Sequence, residues 1–153
     1  VIRRALDLGV GRVIQIGVRA YSSEEEDVIR NDGRIKTWFA RDLFNFSSGT
    51  SYWQNLLVEL SEIEGPVWIT FDVDGLDGSI VPSTGTPVPG GLSHWGAVEI
   101  LEQVFSSEKC KVIGADVNEI VPGKEGTLTE FSAAMIAAKI VACHFSNLLS
   151  FKG

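Results

Sequence analysis

Apolar positions along the chain change their period several times, and each change marks an element. Arg12 to Val18, RVIQIGV, is a β-rich run after a glycine turn and predicts a short buried strand. In the next stretch, YSSEEEDVIRNDG, Ser22-x-x-Glu25 and Ser23-x-x-Glu26 both fit a helix capping box, and Asn31-Asp32-Gly33 ends the helix. RIKTWFA, from Arg34, predicts a second strand. Beyond the Ser/Gly-rich loop at Ser47 to Ser51, the residues Trp53, Leu56, Leu57, Leu60 and Ile63 recur at helical spacing until Gly65 and Pro66 stop them. PVWITFDVD is nearly continuous in β-branched and aromatic residues, as expected of a strand buried on both faces of a parallel sheet. Ser93 is placed to cap a helix through about Phe105, and KVIGADVN predicts another buried strand. Thr127-x-x-Glu130 fits a capping box opening the long final helix, and VIRRALDLGVG at the start reads as the tail of a helix.

Strands alternating with helices predict an α/β fold with a parallel sheet and helices on its faces. The 153 residues fit one domain with a substantial core. A net charge of −7 argues against nucleic-acid binding, which needs a basic surface. Cys110 and Cys143 have no CxxC spacing and predict reduced, buried or half-buried thiols in a cytoplasmic protein. No secretory leader is visible in Val1 to Val10. The apolar stretch from Phe131 to Leu149 is interrupted by Lys139 and His144, which favours a buried core helix over a membrane span. The first residue is Val1 and the only methionine is Met135, so the sequence reads as a piece of something longer.

The chemistry concentrates in FDVDGLDGSIVPSTGTPVPGG, Phe71 to Gly91, where Asp72, Asp74 and Asp77 crowd together. Strand alternation would project Asp72 and Asp74 to one side at the carboxyl end of PVWITFDVD, where open α/β sheets bind ligands. Two ionised carboxylates there need a counter-charge, and no Lys or Arg occurs between Ile69 and Gly91. A divalent cation would serve, since carboxylates suit magnesium or manganese. Turn capping is the equal alternative for both, and for Asp77, which precedes Gly78, it is the favoured one. Glu119, at the end of ADVNE, either faces the same crevice, where it could pair with a planar guanidinium, or serves a turn.

FDVDGLDGSIVPSTGTPVPGGLS resembles the C-terminal signature of the ureohydrolases, the arginase and agmatinase family: an F-D-x-D-x-x-D element, then T-G-T-P, then G-G-L-S. ADVNEIVP resembles the family's later D-x-x-E-x-x-P element, and RVIQIGVR the segment following its first metal motifs. The resemblance covers nearly the whole chain. It implies a three-layer α/β/α fold with a parallel sheet, of which residues 1–153 would be the C-terminal part of a single domain. It implies two Mn2+ ions that share and acidify a water, whose hydroxide attacks the guanidinium carbon of a small-molecule guanidino substrate and releases urea. By match, Asp72 would bridge the metals, Asp74 would bind one of them, Glu119 would pair with the guanidinium and Thr86 would help position it. No nucleic acid or membrane partner is implied; a homo-oligomer, trimer or hexamer, is expected of the intact protein.

Four departures accompany the resemblance. Gly78 stands where the family usually has proline, which would loosen the turn, and Asn118 stands where an apolar or acidic residue is usual. Ala20 and Ser22 fall where arginases carry the acids that hold a substrate α-amino group, which favours agmatine or a guanidino acid. The family's G-G-D-H and D-A-H-x-D metal elements do not occur in these residues. Of the two histidines, neither His94 nor His144 replaces them. The chain is therefore expected to carry only part of a dimetal site. The rival expectation is a non-catalytic subunit or regulatory module descended from such enzymes. A phosphoryl-transfer domain is disfavoured, because VPSTGTPVPGG lacks the basic residue that cradles phosphate.

Overall fold

The structure, a computed structural model, describes residues 1–44, 51–122 and 127–150. Its elements run α1 (Ile2–Asp7), β1 (Val13–Val18), α2 (Ser23–Asn31), β2 (Ile35–Phe39), α3 (Ala40–Leu43), α4 (Tyr52–Ser61), β3 (Gly65–Asp72), a 3-10 turn (Val73–Gly75), α5 (His94–Ser106), β4 (Cys110–Asn118) and α6 (Thr127–Ser150). The expected alternation is present. The short α3 has no counterpart among the expected elements, and α4 ends at Ser61, so Gly65 and Pro66 open the next strand instead of closing the helix. The Ser/Gly-rich loop before Ser51 and the capping role of the Thr127 side chain lie outside the described residues.

Capping agrees closely with the sequence where it can be read. Ser22, not Ser23, caps α2: its hydroxyl accepts from Glu25 N at 3.2 Å while the Glu25 carboxylate accepts from Ser22 N at 2.8 Å. Ser93 caps α5 by accepting from Gly96 N at 3.0 Å.

Among the described residues the strands form two parallel pairs, β1 with β2 and β3 with β4. No ladder joins the pairs, yet one hydrophobic core serves both, with Ile14 and Ile16 of β1 packing against the same cluster as Val67, Ile69 and Phe71 of β3. Its deepest residues include Leu56 and Leu60 of α4, Ile136 of α6, and Val73, Leu76 and Val81. Val73 and Leu76 sit between the aspartates of the acidic stretch, and Val81 follows them. Burying each such side chain stabilises the fold by about 1.5–3 kcal/mol, so the core itself holds this loop in place.

Two expectations about burial need correction. β3 is not covered on both sides: Val67, Ile69 and Phe71 face the core, whereas Trp68, Thr70 and Asp72 are exposed. The described helices α5 and α6 pack on each other and against β4, and the opposite face is open, with Trp68 60% and Ile113 59% exposed. Among its described residues, helix α6 buries one stripe, Thr129, Ala133, Ile136 and Ile140, and exposes Phe131, Met135, Val141 and Phe145. Leu128–Ser146 is long and apolar enough to cross a membrane by length and composition, but its buried stripe and an ion pair between Lys139 and Glu102 fasten it to the body.

The loop after β3 returns so closely on itself that glycine is required. A Cβ at Gly91 would lie 2.5 Å from the carbonyl carbon and oxygen of Leu76 and 2.7 Å from Asp77 N, all main-chain atoms that cannot step aside cheaply. Gly91→Ala should therefore cost about 1–3 kcal/mol. Thermal denaturation would read this as a Tm lowered by about 2–4 °C for each kcal/mol. A variant melting with the wild type would contradict the close approach.

Candidate functional site

The acidic stretch leaves β3 at Asp72, and the 3-10 turn after it carries Asp74. Strand alternation therefore stops before Asp74, and the turn, not the strand, sets its direction. Asp72 is exposed and Asp74 half-buried. Parallel pairing places Thr70 beside Asp116 and Asp72 beside Asn118 of β4. Although Asp72 is open to solvent, the protein around its carboxylate partly desolvates it and raises its pKa, the nearby charges of Asp74, Glu119 and Asp116 push it the same way, and a hydrogen bond from Asn118 offsets part of this. Four carboxylates from three segments thus share one neighbourhood at the carboxyl ends of β3 and β4.

None of these carboxylates has an ion-pair partner among the described residues, whose ion pairs involve Glu26, Asp32, Glu59, Glu62 and Glu102. Asp72, Asp74 and Asp116 have neutral donors instead. Thr86 Oγ1 donates to Asp74 Oδ2 at 2.6 Å. Asp116 receives the Trp68 indole N–H at 2.7 Å, the Thr70 hydroxyl at 2.7 Å and the Asn118 amide at 2.5 Å, the first two lowering its pKa most. Trp68 can lie flat across β4 because residue 114 is glycine; a Cβ there would sit 2.2 Å from the ring. The unusual Asn118 thus has a use: it stands between Asp72 and Asp116 and donates to both.

Glu119 comes directly after, with φ of 63°, in the left-handed region that non-glycine residues avoid. The cost is about 1–3 kcal/mol, and such strain collects where a side chain must be aimed. Its carboxylate is aimed at the T-G-T-P loop, with Oε2 4.0 Å from the position of a Cβ on Gly85. Val121 N donates to Ser83 O at 3.1 Å, and the buried Thr129 hydroxyl of α6 accepts from Ser83 N at 2.8 Å, which fixes that loop against Glu119.

Asp77 is the structural member of the trio. Its carboxylate accepts from the Ser79 hydroxyl and amide and from the Gly90 and Gly91 amides, the last two at 2.7 and 3.2 Å, which holds its pKa down at about 2. Gly78 tightens the loop where loosening was expected: Gly78 N donates to Val88 O at 3.3 Å, and a Cβ would lie 2.9 Å from the Pro87 carbonyl. A proline here would lose that bond. Ser22 is spent as the cap of α2, and Ala20 is exposed.

The donor set is carboxylate oxygen, the kind a hard or borderline divalent ion takes. Among the described residues no three His, Cys, Asp or Glu side chains close on a common point. The neighbouring charges therefore act on Asp72 across space without forming a cage, and Asp72 and Asp74 fit Mn2+ in kind but do not enclose it. His94 lines a surface groove between α5 and α6 with Trp95, Met135 and Lys139, a groove to which none of the four carboxylates contributes. His144 is exposed beside Phe145. Cys110 and Cys143 are free, half-buried thiols, their pKa values raised by burial. Residues that sequence reasoning missed are Asp116 and Arg19. No cation lies near the aspartates in sequence, whereas Arg19, two residues after Gly17, reaches the turn from β1.

A sequence model of the arginase family matches residues 1–143. The chain belongs to the arginase family. It is 33% identical over 141 residues to the N(1)-aminopropylagmatine ureohydrolase of Synechocystis sp., covering 92% of this chain and 43% of that protein. It is 35% identical over 142 residues to the agmatinase of Pyrococcus horikoshii, covering 92% of this chain and 46% of the relative. The crystal structure of the agmatine ureohydrolase of Thermoplasma volcanium superposes with a TM-score of 0.78 at 27% identity, over 97% of this chain and 48% of that one. The fold is thus the α/β arrangement of that family, and the chain spans about half the length of the relatives it matches.

The Asp77 clamp makes a measurable prediction. Its folded-state pKa of about 2 lies below the ordinary 3.8, so its contribution is full above about pH 4 and is lost as pH falls through 2. Amide exchange at Gly90 and Gly91, corrected for intrinsic rates, should speed up across that window. In Asp77→Asn it should already be fast at pH 5, and unchanged protection in that variant would contradict the clamp.

Proposed function

We propose that the protein to which this chain belongs hydrolyses a small guanidino compound of the agmatine type, releasing urea and an amine, and that the chain supplies the carboxylate side of the site. The observation that carries this reading is the meeting of Asp74 and Glu119 with the T-G-T-P loop, Asp72 lying in the field of both, with no ion-pair partner among the described residues. Support also comes from the names of the relatives above, which are ureohydrolases of agmatine and its aminopropyl derivative.

Asp72 and Asp74 are the residues that would hold two Mn2+ ions, the remaining ligands coming from outside these residues. When bound, such a pair supplies water acidified enough to act as a nucleophile near neutral pH. The chain's own residues bind and orient. Glu119 would accept two parallel N–H bonds from the planar guanidinium, fixing its plane and offsetting its charge. The Thr86 O–H is already committed to Asp74, so its free lone pairs are what remain to accept a guanidinium N–H. With Ser22 occupied as a helix cap and Ala20 apolar, neither can hold an α-amino group, which favours agmatine, its aminopropyl derivative or guanidinobutyrate over arginine. A homo-oligomer in the cytoplasm, trimeric or hexameric, completes the proposal.

Urea release by the full-length protein, measured across agmatine, N1-aminopropylagmatine, guanidinobutyrate and arginine with Mn2+ present, tests it. An amine-tailed or acid-tailed guanidine should exceed arginine, and Glu119→Gln should lower kcat/KM about 10–100-fold, as expected for a lost hydrogen bond to a charged group. The 153-residue chain alone is expected to release no urea. Preference for arginine would refute the substrate reading, and full activity of Glu119→Gln would refute the site.

A further inference from the structure

The end of β1 reaches the acidic loop by an unusual route. Gly17 is buried with φ of +85°, and the register with β2 slips between Ile16 and Val18, the signature of a bulge that re-aims the residues beyond it. A Cβ at Gly17 would stand 3.4 Å from Leu92 Cγ and 3.6 Å from Gly75 O, so the bulge brings β1 into contact with the turn that carries Asp74. Arg19, two residues on, lays its guanidinium across that turn. Nη2 donates to Asp74 O, and Nη1 donates to Gly75 O and Gly17 O at 3.2 Å each.

We propose that Arg19 is a positioning residue for Asp74, gripping the main chain of the 3-10 turn so that the carboxylate is presented to a divalent ion. This rests on the reading of Asp74 as a metal ligand. Asp74 is then held at both ends: Arg19 bonds its own carbonyl and the next one, and Thr86 bonds its carboxylate. Hydrogen bonds from an ionised donor are stronger than neutral ones, and two carbonyls in succession fix the peptide plane from which the Asp74 side chain springs. The choice of acceptor matters as much. Arg19 reaches the turn that carries Asp74, yet its described bonds go to carbonyl oxygens, so it holds the turn without occupying a carboxylate oxygen that a metal would need. It also stitches β1 to the end of β3, two strands that share no ladder among the described residues.

A double-mutant cycle on Mn2+ affinity, read by calorimetry with Mn2+ as the only added ion on the full-length protein, separates positioning from general support. Arg19→Met keeps the stem and removes the guanidinium. It should weaken Mn2+ binding about 10–100-fold, the range for residues that orient metal ligands. In an Asp74→Asn background the same change should weaken it less than about twofold, because the residue it positions is already gone. Equal losses in both backgrounds would mean a general structural role and overturn the proposal. No loss from Arg19→Met, with a loss from Asp74→Asn, would overturn it while leaving Asp74 a ligand. No loss from Asp74→Asn would overturn the metal reading and this proposal together. If near-ultraviolet circular dichroism finds Arg19→Met unfolded, Arg19→Lys replaces it in the cycle: its single ammonium cannot span three carbonyls, so a smaller loss confined to the Asp74 background is expected, and its absence or equality in both backgrounds again overturns the proposal.

Discussion

Like charges do not gather unaided, and four carboxylates meet at the carboxyl ends of β3 and β4. Every local peculiarity of the loop reads as a means of holding them there. The core takes Val73 and Leu76 from between the aspartates and Val81 from just after them and buries each completely, so the acidic residues are carried on an apolar footing. Asp77 spends its charge on amides and a hydroxyl and closes the loop. Asp116 spends its charge on Trp68, Thr70 and Asn118, which pins down the strand end beside Asp72. Glu119 accepts a strained backbone in order to face the same space. What is left without an ionic partner among the described residues is Asp72, with Asn118 as its one neutral donor, one oxygen of Asp74, and Glu119, and their charge is what makes the place suited to cations.

The division of labour among the acids comes from their donors. Asp77 is saturated with hydrogen bonds and behaves as part of the scaffold, with a pKa of about 2. Asp72 sits at the other extreme, its pKa raised by partial desolvation and by the charges of its neighbours, so these residues alone leave its charged form short of stabilisation. A metal ion or a guanidinium is the kind of partner that would supply it. Arginase-family membership and a fold match to an agmatine ureohydrolase structure agree with that chemistry.

Much of this is legible in the chain itself, and what is not has physical causes. The capping box at Ser22, the cap at Ser93 and the helical repeat from Trp53 are local signals, and they settle elements that depend on neighbours in sequence. Asp72, Asp74, Thr86 and Glu119 are picked out by a long motif, and the structure brings Thr86 to Asp74 and Gly85 to Glu119. Long-range choices are beyond reach. Composition cannot tell that β3 leaves Trp68 and Thr70 open, because an apolar strand carries no label for which faces are covered. Gly78 looks like slack in the turn, whereas its missing Cβ makes room for the Pro87 carbonyl, a contact nine residues away. Arg19 lies 55 residues from Asp74, and nothing local to either announces their meeting.

The central claim is that Asp72 and Asp74 are metal ligands within a guanidine-hydrolysing site. Anomalous diffraction at the manganese edge, on crystals of the full-length protein grown with Mn2+, locates the ions directly. The account predicts two anomalous peaks within coordinating distance of the Asp72 carboxylate, about 2.0–2.3 Å, one of them also bound by Asp74. Peaks absent from these carboxylates, or placed on Asp77 or Asp116 instead, would contradict it.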